Sequence, residues 1–481
     1  MKSSDTTPNE NAWSGLDYWM SRVLREYDRV RENFAPEPVH DLRVALRRCR
    51  SIANGFMVFD PHPAWKLMKG EGRQLFQQLG ALRDTQVMME WVQRIAPSSD
   101  ETSTILNYFL ADQETQHKES ASEALRDFNR KKWASWTRLL SHRAQRIPEG
   151  SMAFQHLALE RWSDARRLHI QAMRNRSHAA YHRLRIGLKQ FRYTIENFLP
   201  ERHAQWGSEL SEYQDLLGEM HDLQVLWQTA LAIKAFPSEE IRAEWRLRIS
   251  TESNQRLERY RQTMLGTGSR WQIWRTDLPQ PDQLGMLALA RLRAWAGFRD
   301  PNFAHSEHVA KLSLQIYDGL EALGLTQDIR LANARFLLEA AALAHDVGIH
   351  EADKKPHLSS YRMIRKIAVS PGWDTDSLRC VALIARFHRG ALPHAGQKAF
   401  SGVSEGKIRA ILLLSGILRL ANAFDLLLPR QIRRLTLTRT TEVIHINVPG
   451  YSEHDAAAEK LATARHLLET SCAMPVLIRQ F

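Results

Sequence analysis

The 481 residues are 43% hydrophobic and 25% charged, an ordinary globular balance with enough length for two or three cores. The formal net charge of +12 points to an acidic partner, nucleic acid or another polyanion. Three distant cysteines (Cys49, Cys380, Cys472) argue against a disulfide framework, no apolar run approaches a membrane span, and the polar start Met1-Lys2-Ser3-Ser4 lacks a signal core, so a cytoplasmic chain with no membrane partner is expected.

Residues 1–10 are expected to form a disordered tail. From Trp13 the apolar positions Leu16, Trp19, Met20, Val23, Leu24 and Tyr27 recur at three and four, predicting a helix that ends before Pro36-Glu37-Pro38. The next predicted helix carries His40, Arg43, Arg47 and Arg50 at offsets of 0, 3, 7 and 10, which share a sector of about 80° on a helix. The same offsets recur in His182, Arg185, Lys189 and Arg192. A second segment also recurs: Leu79-Gly80-Ala81-Leu82-Arg83-Asp84-Thr85-Gln86-Val87 and Leu217-Gly218-Glu219-Met220-His221-Asp222-Leu223-Gln224-Val225 share Leu-Gly-x-x-x-Asp-x-Gln-Val. Each half thus holds a basic helix and a Leu-Gly helix, the mark of a two-repeat unit.

Gly80 and Gly218 are expected to admit a closely packed helix. Asp84 and Asp222 either accept hydrogen bonds from the stripe arginines or form surface ion pairs. Two stripes brought together would line one groove with about eight cationic or imidazole groups, and the planar fork of arginine suits phosphate. His40 and His182 either donate to an anion or are satisfied core groups.

Residues 115–180 read as helical and polar, and the glycine- and proline-rich text around residues 266–282 as a linker. Beyond it, histidines enter apolar surroundings. His345-Asp346 follows the apolar run Phe336-Leu337-Leu338-Glu339-Ala340-Ala341-Ala342-Leu343-Ala344, His305 opens an apolar-faced helix, and Asp425 ends another. Imidazole and carboxylate ligands suit a divalent ion, with Mn, Mg, Fe and Zn all open, which would polarise a phosphoryl oxygen and lower the pKa of bound water. Residues 431–481 alternate, then turn helical, then alternate, predicting a small β-β-α-β appendage.

The paired stripes and Leu-Gly segments resemble the CHAD family, two-repeat helical proteins that bind inorganic polyphosphate. The resemblance spans residues 11–265, with repeats at about 11–140 and 160–265. It implies polyphosphate binding by His40, Arg43, Arg47, Arg50, His182, Arg185, Lys189 and Arg192, and it is the resemblance that prefers polyphosphate to nucleic acid. Localisation to polyphosphate granules is the matching expectation.

Residues 283–430 resemble the HD phosphohydrolase superfamily, more closely the C-terminal helical domain of exopolyphosphatases and guanosine pentaphosphatases. The matching text is His345-Asp346-Val347-Gly348-Ile349-His350, His357-Leu358-Ser359-Ser360-Tyr361, Ala385-Arg386-Phe387-His388-Arg389 and Leu418-Arg419-Leu420-Ala421-Asn422-Ala423-Phe424-Asp425. The resemblance implies metal ligands His305, His345, Asp346 and Asp425, a second metal or phosphate site at His350, His357 and His388, and catalytic roles for Asp346, Arg386, His388 and Arg389. Surface or packing roles stay open for His350, His357, Arg386, His388 and Arg389.

The exopolyphosphatases carry their established chemistry in a preceding actin-like fold, and the text here is CHAD-like instead. The expected protein is therefore mainly α, with a CHAD-like domain, an HD-type helical domain and a small α/β tail. Its expected function is polyphosphate binding coupled to metal-dependent hydrolysis of polyphosphate or a related phosphoanhydride, guanosine polyphosphates included. The alternatives are a non-catalytic polyphosphate-targeting protein and a nucleic-acid binder.

Overall fold

The computed structural model of the chain describes residues 15–32, 34–97, 99–327, 331–350, 355–394, 396–449, 451 and 456–480, so the expected tail over 1–10 lies outside the described residues. The chain divides into two units, Met1–Val58 with His62–Pro281, and Phe59–Pro61 with Asp282–Phe481.

The first unit is helical throughout: α1 (Leu16–Glu32), α2 (Pro36–Phe56), α3 (Ala64–Glu71), α4 (Arg73–Ile95), α5 (Glu101–Asp127), α6 (Arg130–Ala144), α7 (Met152–Asn175), α8 (His178–Phe198), α9 (Pro200–Ala232), α10 (Glu239–Met264) and α11 (Arg270–Asp277). Pro36 and Pro38 do not precede α2 but build its first turn, where a missing N–H costs no helical hydrogen bond. Helix α1 packs on α2, α4 on α5, α7 on α8 and α8 on α9, while α2 meets both α8 and α4, and α4 meets α9. Leu42, Leu46 and Cys49 on α2, and Leu184, Leu188 and Phe191 on α8, are fully buried. Each large side chain among them contributes about 1.5–3 kcal/mol, and together they fix the rotation of both helices and hence where the basic stripes point.

Residues 266–282, expected as a linker, carry α11 instead. Its Trp271 and Trp274 are fully buried, and Trp274 lies 5.7, 6.1 and 6.4 Å, ring centre to ring centre, from Phe191, Tyr213 and Trp206. Two tryptophans three apart share a helix face, and burying that face outweighs the flanking turn residues.

The second unit contains α12 (Leu284–Gly297), α13 (Phe303–Ala322), α14 (Ala334–Ala344), α15 (Pro356–Arg365), α16 (Thr375–Arg386), α17 (Glu405–Leu427), β1 (Thr436–Arg439), β2 (Ile444–Val448), α18 (Ala456–Cys472) and β3 (Val476–Gln480). Helix α17 is long and apolar enough to cross a membrane by composition, contrary to the expectation that no run is, and 72% of that window is buried inside the protein. It packs on α13, α14, α16 and α18 as the centre of this core. The sheet order is β1-β2-β3, with β1 antiparallel and β3 parallel to β2, so α18 is the crossover of a β-α-β unit. The protein is mainly α with a small α/β end.

Candidate functional sites

Helices α2 and α8 bring the two basic stripes to one place. Arg43, Arg47, Arg185, Lys189 and Arg192 are all half-buried, while His40 and His182 are exposed at the starts of their stripes. Burial and the charges of Arg185, Arg47, Arg43 and Arg192 lower the Lys189 ammonium to about 8, so guanidinium groups of both helices act on this one amine. Tyr193 adds an aromatic face: Lys189 Nζ lies 5.7 Å and the Arg192 guanidinium 5.9 Å from its ring centre. Arg185 Nε, Arg192 Nε and the Tyr193 hydroxyl are buried and make no hydrogen bond among the described residues. Unmet buried donors are rare, and an acceptor-rich anion satisfies them.

Arg50 goes elsewhere. Its Nη1 donates to the Lys69 carbonyl at 3.0 Å and its guanidinium stacks 5.0 Å from the Phe76 ring, with Arg43 5.2 Å from the same ring. His182 pairs with His221 at 4.8 Å between ring centres. Burial and the Arg47 charge hold His40 below its ordinary value.

The Leu-Gly helices serve the stripes differently from expectation. Gly80 and Gly218 seat arginine side chains, not another helix: Arg43 Nη1 lies 2.6 Å from where a Cβ on Gly80 would stand, and Arg185 Nε 3.7 Å from that of Gly218. Asp84 lies 3.9 Å from Arg43. Burial raises Asp222 to about 6 against the pull of Arg185, and the charges of Asp84 and Glu219 add to the rise. The charge of Asp84 therefore reaches Asp222 beside the cationic cluster. A buttress that periodicity alone misses is the Arg48–Glu196 ion pair between α2 and α8, with Arg192 3.8 Å from the same carboxylate.

In the second unit, α14 and α16 end in the same way. His345 Nδ1 donates to the Ala342 carbonyl at 2.7 Å and His388 Nδ1 to the Ala385 carbonyl at 2.6 Å, each filling a helix-end acceptor three residues back. A carbonyl only accepts, so Nδ1 carries a proton, and in the neutral tautomer Nε2 offers a lone pair. Both Nε2 atoms are buried without a hydrogen bond among the described residues. They flank Asp346, 3.6 Å and 3.7 Å from its two oxygens. Burial and the neighbouring His345 keep His388 well below its ordinary value. Burial would raise Asp346, but His345, His388, Arg389 and His305 outweigh it and hold the carboxyl below its usual range.

Ligand atoms of His305, His345 and Asp346 lie within 4.8 Å of one another, the one such group of three among the described residues. Asp425 stands behind it. Its oxygens take hydrogen bonds from His305 Nδ1, from His308 Nδ1 and from the Arg430 N–H at 2.8 Å, while His305 Nε2 meets the Asn422 side chain at 3.0 Å. His308, which donates its other nitrogen to the Ile432 carbonyl at 2.8 Å, lies one helical turn from His305, a spacing legible in the sequence.

Arg389 reaches Asp346 at 3.3 Å. Arg386 instead stacks on Tyr361 and Phe387 at 5.2 and 5.3 Å. Arg419 donates to the carbonyl of Gly390, next to Arg389, and its other terminal nitrogen is buried without a partner among the described residues. His350 is exposed, and neither it nor His357 joins a group of three ligands among the described residues. The donor set of two orphaned imidazole lone pairs and a carboxylate fits a divalent metal, which would satisfy all three.

Residues 16–231 match the family model of the CHAD domain, and residues 300–464 that of the Ppx/GppA phosphatase, domain III. None of the curated proteins matches the chain. A crystal structure of the CHAD domain from the plant Ricinus communis is similar at 22% identity and a TM-score of 0.38, covering 57% of this chain and 92% of that chain. The chain thus joins a CHAD domain, residues 16–231, to a Ppx/GppA phosphatase domain III, residues 300–464.

Proposed function

We propose that the CHAD domain binds inorganic polyphosphate on the paired stripes of α2 and α8, and that the histidine–aspartate cluster of the second unit is a metal-dependent site that hydrolyses polyphosphate or a related phosphoanhydride. The observation that carries the binding half is the convergence of Arg43, Arg47, Arg185 and Arg192 on Lys189. So much like charge gathered at half-buried positions opposes itself, and a polyanion relieves the repulsion while filling the unmet donors of Arg185 and Arg192. Arg50, held on the Lys69 carbonyl, contributes at most from the margin.

For the hydrolytic half, His345, Asp346 and His388 would hold the metal, and His305, oriented by Asp425, would join them through Nε2 in place of its Asn422 contact. The ion supplies Lewis acidity toward a phosphoryl oxygen. Arg389 and Arg419 offer donors beside it to neutralise phosphate charge, a role that Arg386 leaves to them. Elemental analysis of the purified chain and phosphate release from polyphosphate and guanosine polyphosphates test this. Bound metal with release that disappears in His345→Ala/Asp346→Ala supports it, whereas release that survives the change removes the cluster from catalysis.

The engagement of both Asp425 oxygens favours a second reading, in which the cluster is structural or regulatory and the chain only holds polyphosphate. That reading predicts no phosphate release at all. Nucleic acid enters as an outcome of the binding test: duplex DNA that displaces polyphosphate at equal charge and physiological salt would make the stripes a general polyanion site.

A further inference from the structure

Lys189 is the one amine in the paired stripes, and its setting differs from that of a phosphate-binding lysine on a surface. It is half-buried on α8, one turn from Arg185 and one turn from Arg192, with Arg43 and Arg47 approaching from α2. Tyr193 lies beside it, and Asp84, held at 3.9 Å by Arg43, is the acidic group whose charge it meets. Among the described residues Lys189 forms no ion pair. Four guanidinium groups would hold a phosphate against this amine, and in the open cluster their charges and its burial lower its protonation. The ammonium is lowered to about 8 against an ordinary lysine near 10.4, so far more of this amine is free base at pH 8 than of a surface lysine. Both ingredients of a directed acylation, an anchored phosphate and a nucleophilic nitrogen, therefore occupy one place.

We propose that Lys189 is a modification site for acyl phosphates, whose phosphoryl group docks on the surrounding arginines and whose acyl group passes to the lysine. The inference rests on the reading of the stripes as a phosphate site. The Nζ lone pair attacks the carbonyl carbon, a C–N bond forms, and the bond from that carbon to the phosphoryl oxygen breaks. Inorganic phosphate leaves with the electron pair, and the proton lost by nitrogen goes to it or to water. The product amide removes one positive charge from the centre of the cluster, so the modification weakens polyanion binding, and bound polyanion in turn protects the amine.

The test is incubation of the full chain with acetyl phosphate at pH 8, followed by peptide mapping by mass spectrometry. Lys189 is expected to acetylate at least tenfold faster than the exposed Lys66, Lys131 and Lys132, to lose that lead when inorganic polyphosphate is added, and to show a smaller lead with an acetyl ester that has no phosphate. Acetylation of Lys189 no faster than of the exposed lysines overturns the inference, as does an equal lead with the phosphate-free ester. Treatment should lower polyphosphate affinity several-fold in the wild-type chain and not in Lys189→Arg relative to its own untreated form; an equal drop in both overturns the regulatory consequence. Direct polyphosphate binding, measured on the untreated chain, separates the two ideas: binding without preferred acetylation removes the inference and leaves the function, whereas no binding removes the function itself.

Discussion

The guanidinium of Arg43 occupies the space that a side chain on Gly80 would need, with Nη1 2.6 Å from the ideal Cβ position. The glycine is therefore part of the proposed anion site although it bears no charge. Gly80→Ala would not strain the backbone, because the obstructing atom is the far end of a flexible side chain, and alanine in a helix is about 1 kcal/mol better than glycine. The expected outcome is an unchanged or slightly raised melting temperature with polyphosphate affinity several-fold lower. Gly218→Ala, where Arg185 Nε is at an ordinary 3.7 Å, should lower affinity less. Isothermal titration beside thermal melts checks both, and a larger loss at Gly218 would contradict the assignment.

Asp222 sets the pH response of the same cluster. Burial, with Asp84 and Glu219 adding to it and Arg185 and Arg83 opposing, raises its carboxyl to about 6. Its folded value thus lies above the unfolded one near 3.9. The sign follows: the stability it contributes is fully present below about pH 4 and is lost as pH rises through about 6. Ionisation over the same window puts a negative charge among the cations, so polyphosphate affinity should fall from pH 5 to pH 7. Asp222→Asn should flatten that part of the affinity profile. Binding titrations at fixed ionic strength decide it, and an equally steep profile in the variant would transfer the effect to another group.

Much of this was legible before any coordinates. Offsets of 0, 3, 7 and 10 place four side chains on one helix face whatever the tertiary fold, so the stripes and their duplication could be read directly. The β-β-α-β end followed from its alternation. Pairings between distant segments could not be read that way. Arg48 and Glu196 lie 148 positions apart, and nothing in either helix marks the one as the other's partner. Arg50 keeps the stripe's spacing yet turns to the Lys69 carbonyl, because a long side chain at the end of a face takes the nearest acceptor. Gly80 and Gly218 admit arginine side chains where a closely packed helix is expected, because a glycine does not say which of the two approaches. In the second unit the reverse held: His308 stands three residues after His305, a helical spacing that sequence reasoning passed over.

His308 and Asp425 form the layer behind His305. The Asp425 carboxylate is held by His308 Nδ1 and the Arg430 N–H, and it in turn takes the His305 Nδ1 hydrogen bond. Such outer partners orient a metal-binding imidazole, and their loss typically costs 10–100-fold in metal affinity. His308→Ala should therefore loosen His305 and lower metal affinity by roughly that factor, while the circular dichroism spectrum stays helical. Competition with a chelator of known affinity measures it. Undiminished metal binding in His308→Ala would assign the His308–Asp425 pair to packing alone.

Gly348 governs how the loop after Asp346 meets α15. Its N–H donates to the Ser360 hydroxyl at 3.0 Å, and a Cβ there would stand 2.7 Å from Ser359 Cβ and closer still to the Ser360 backbone nitrogen. Ser359 and Ser360 are fully buried, and the obstruction is backbone that cannot swing aside. Gly348→Ala must push α15 and the 346–348 turn apart, an overpacking change that typically costs about 1–3 kcal/mol. Because Asp346 lies two residues away, the displacement should also draw its carboxylate from the Nε2 atoms of His345 and His388. The expected result is a lowered melting temperature together with weakened metal binding, while polyphosphate binding by the CHAD domain persists. Thermal melts, metal analysis and polyphosphate titration on one preparation test the three parts, and wild-type metal content in a destabilised variant would uncouple the turn from the cluster.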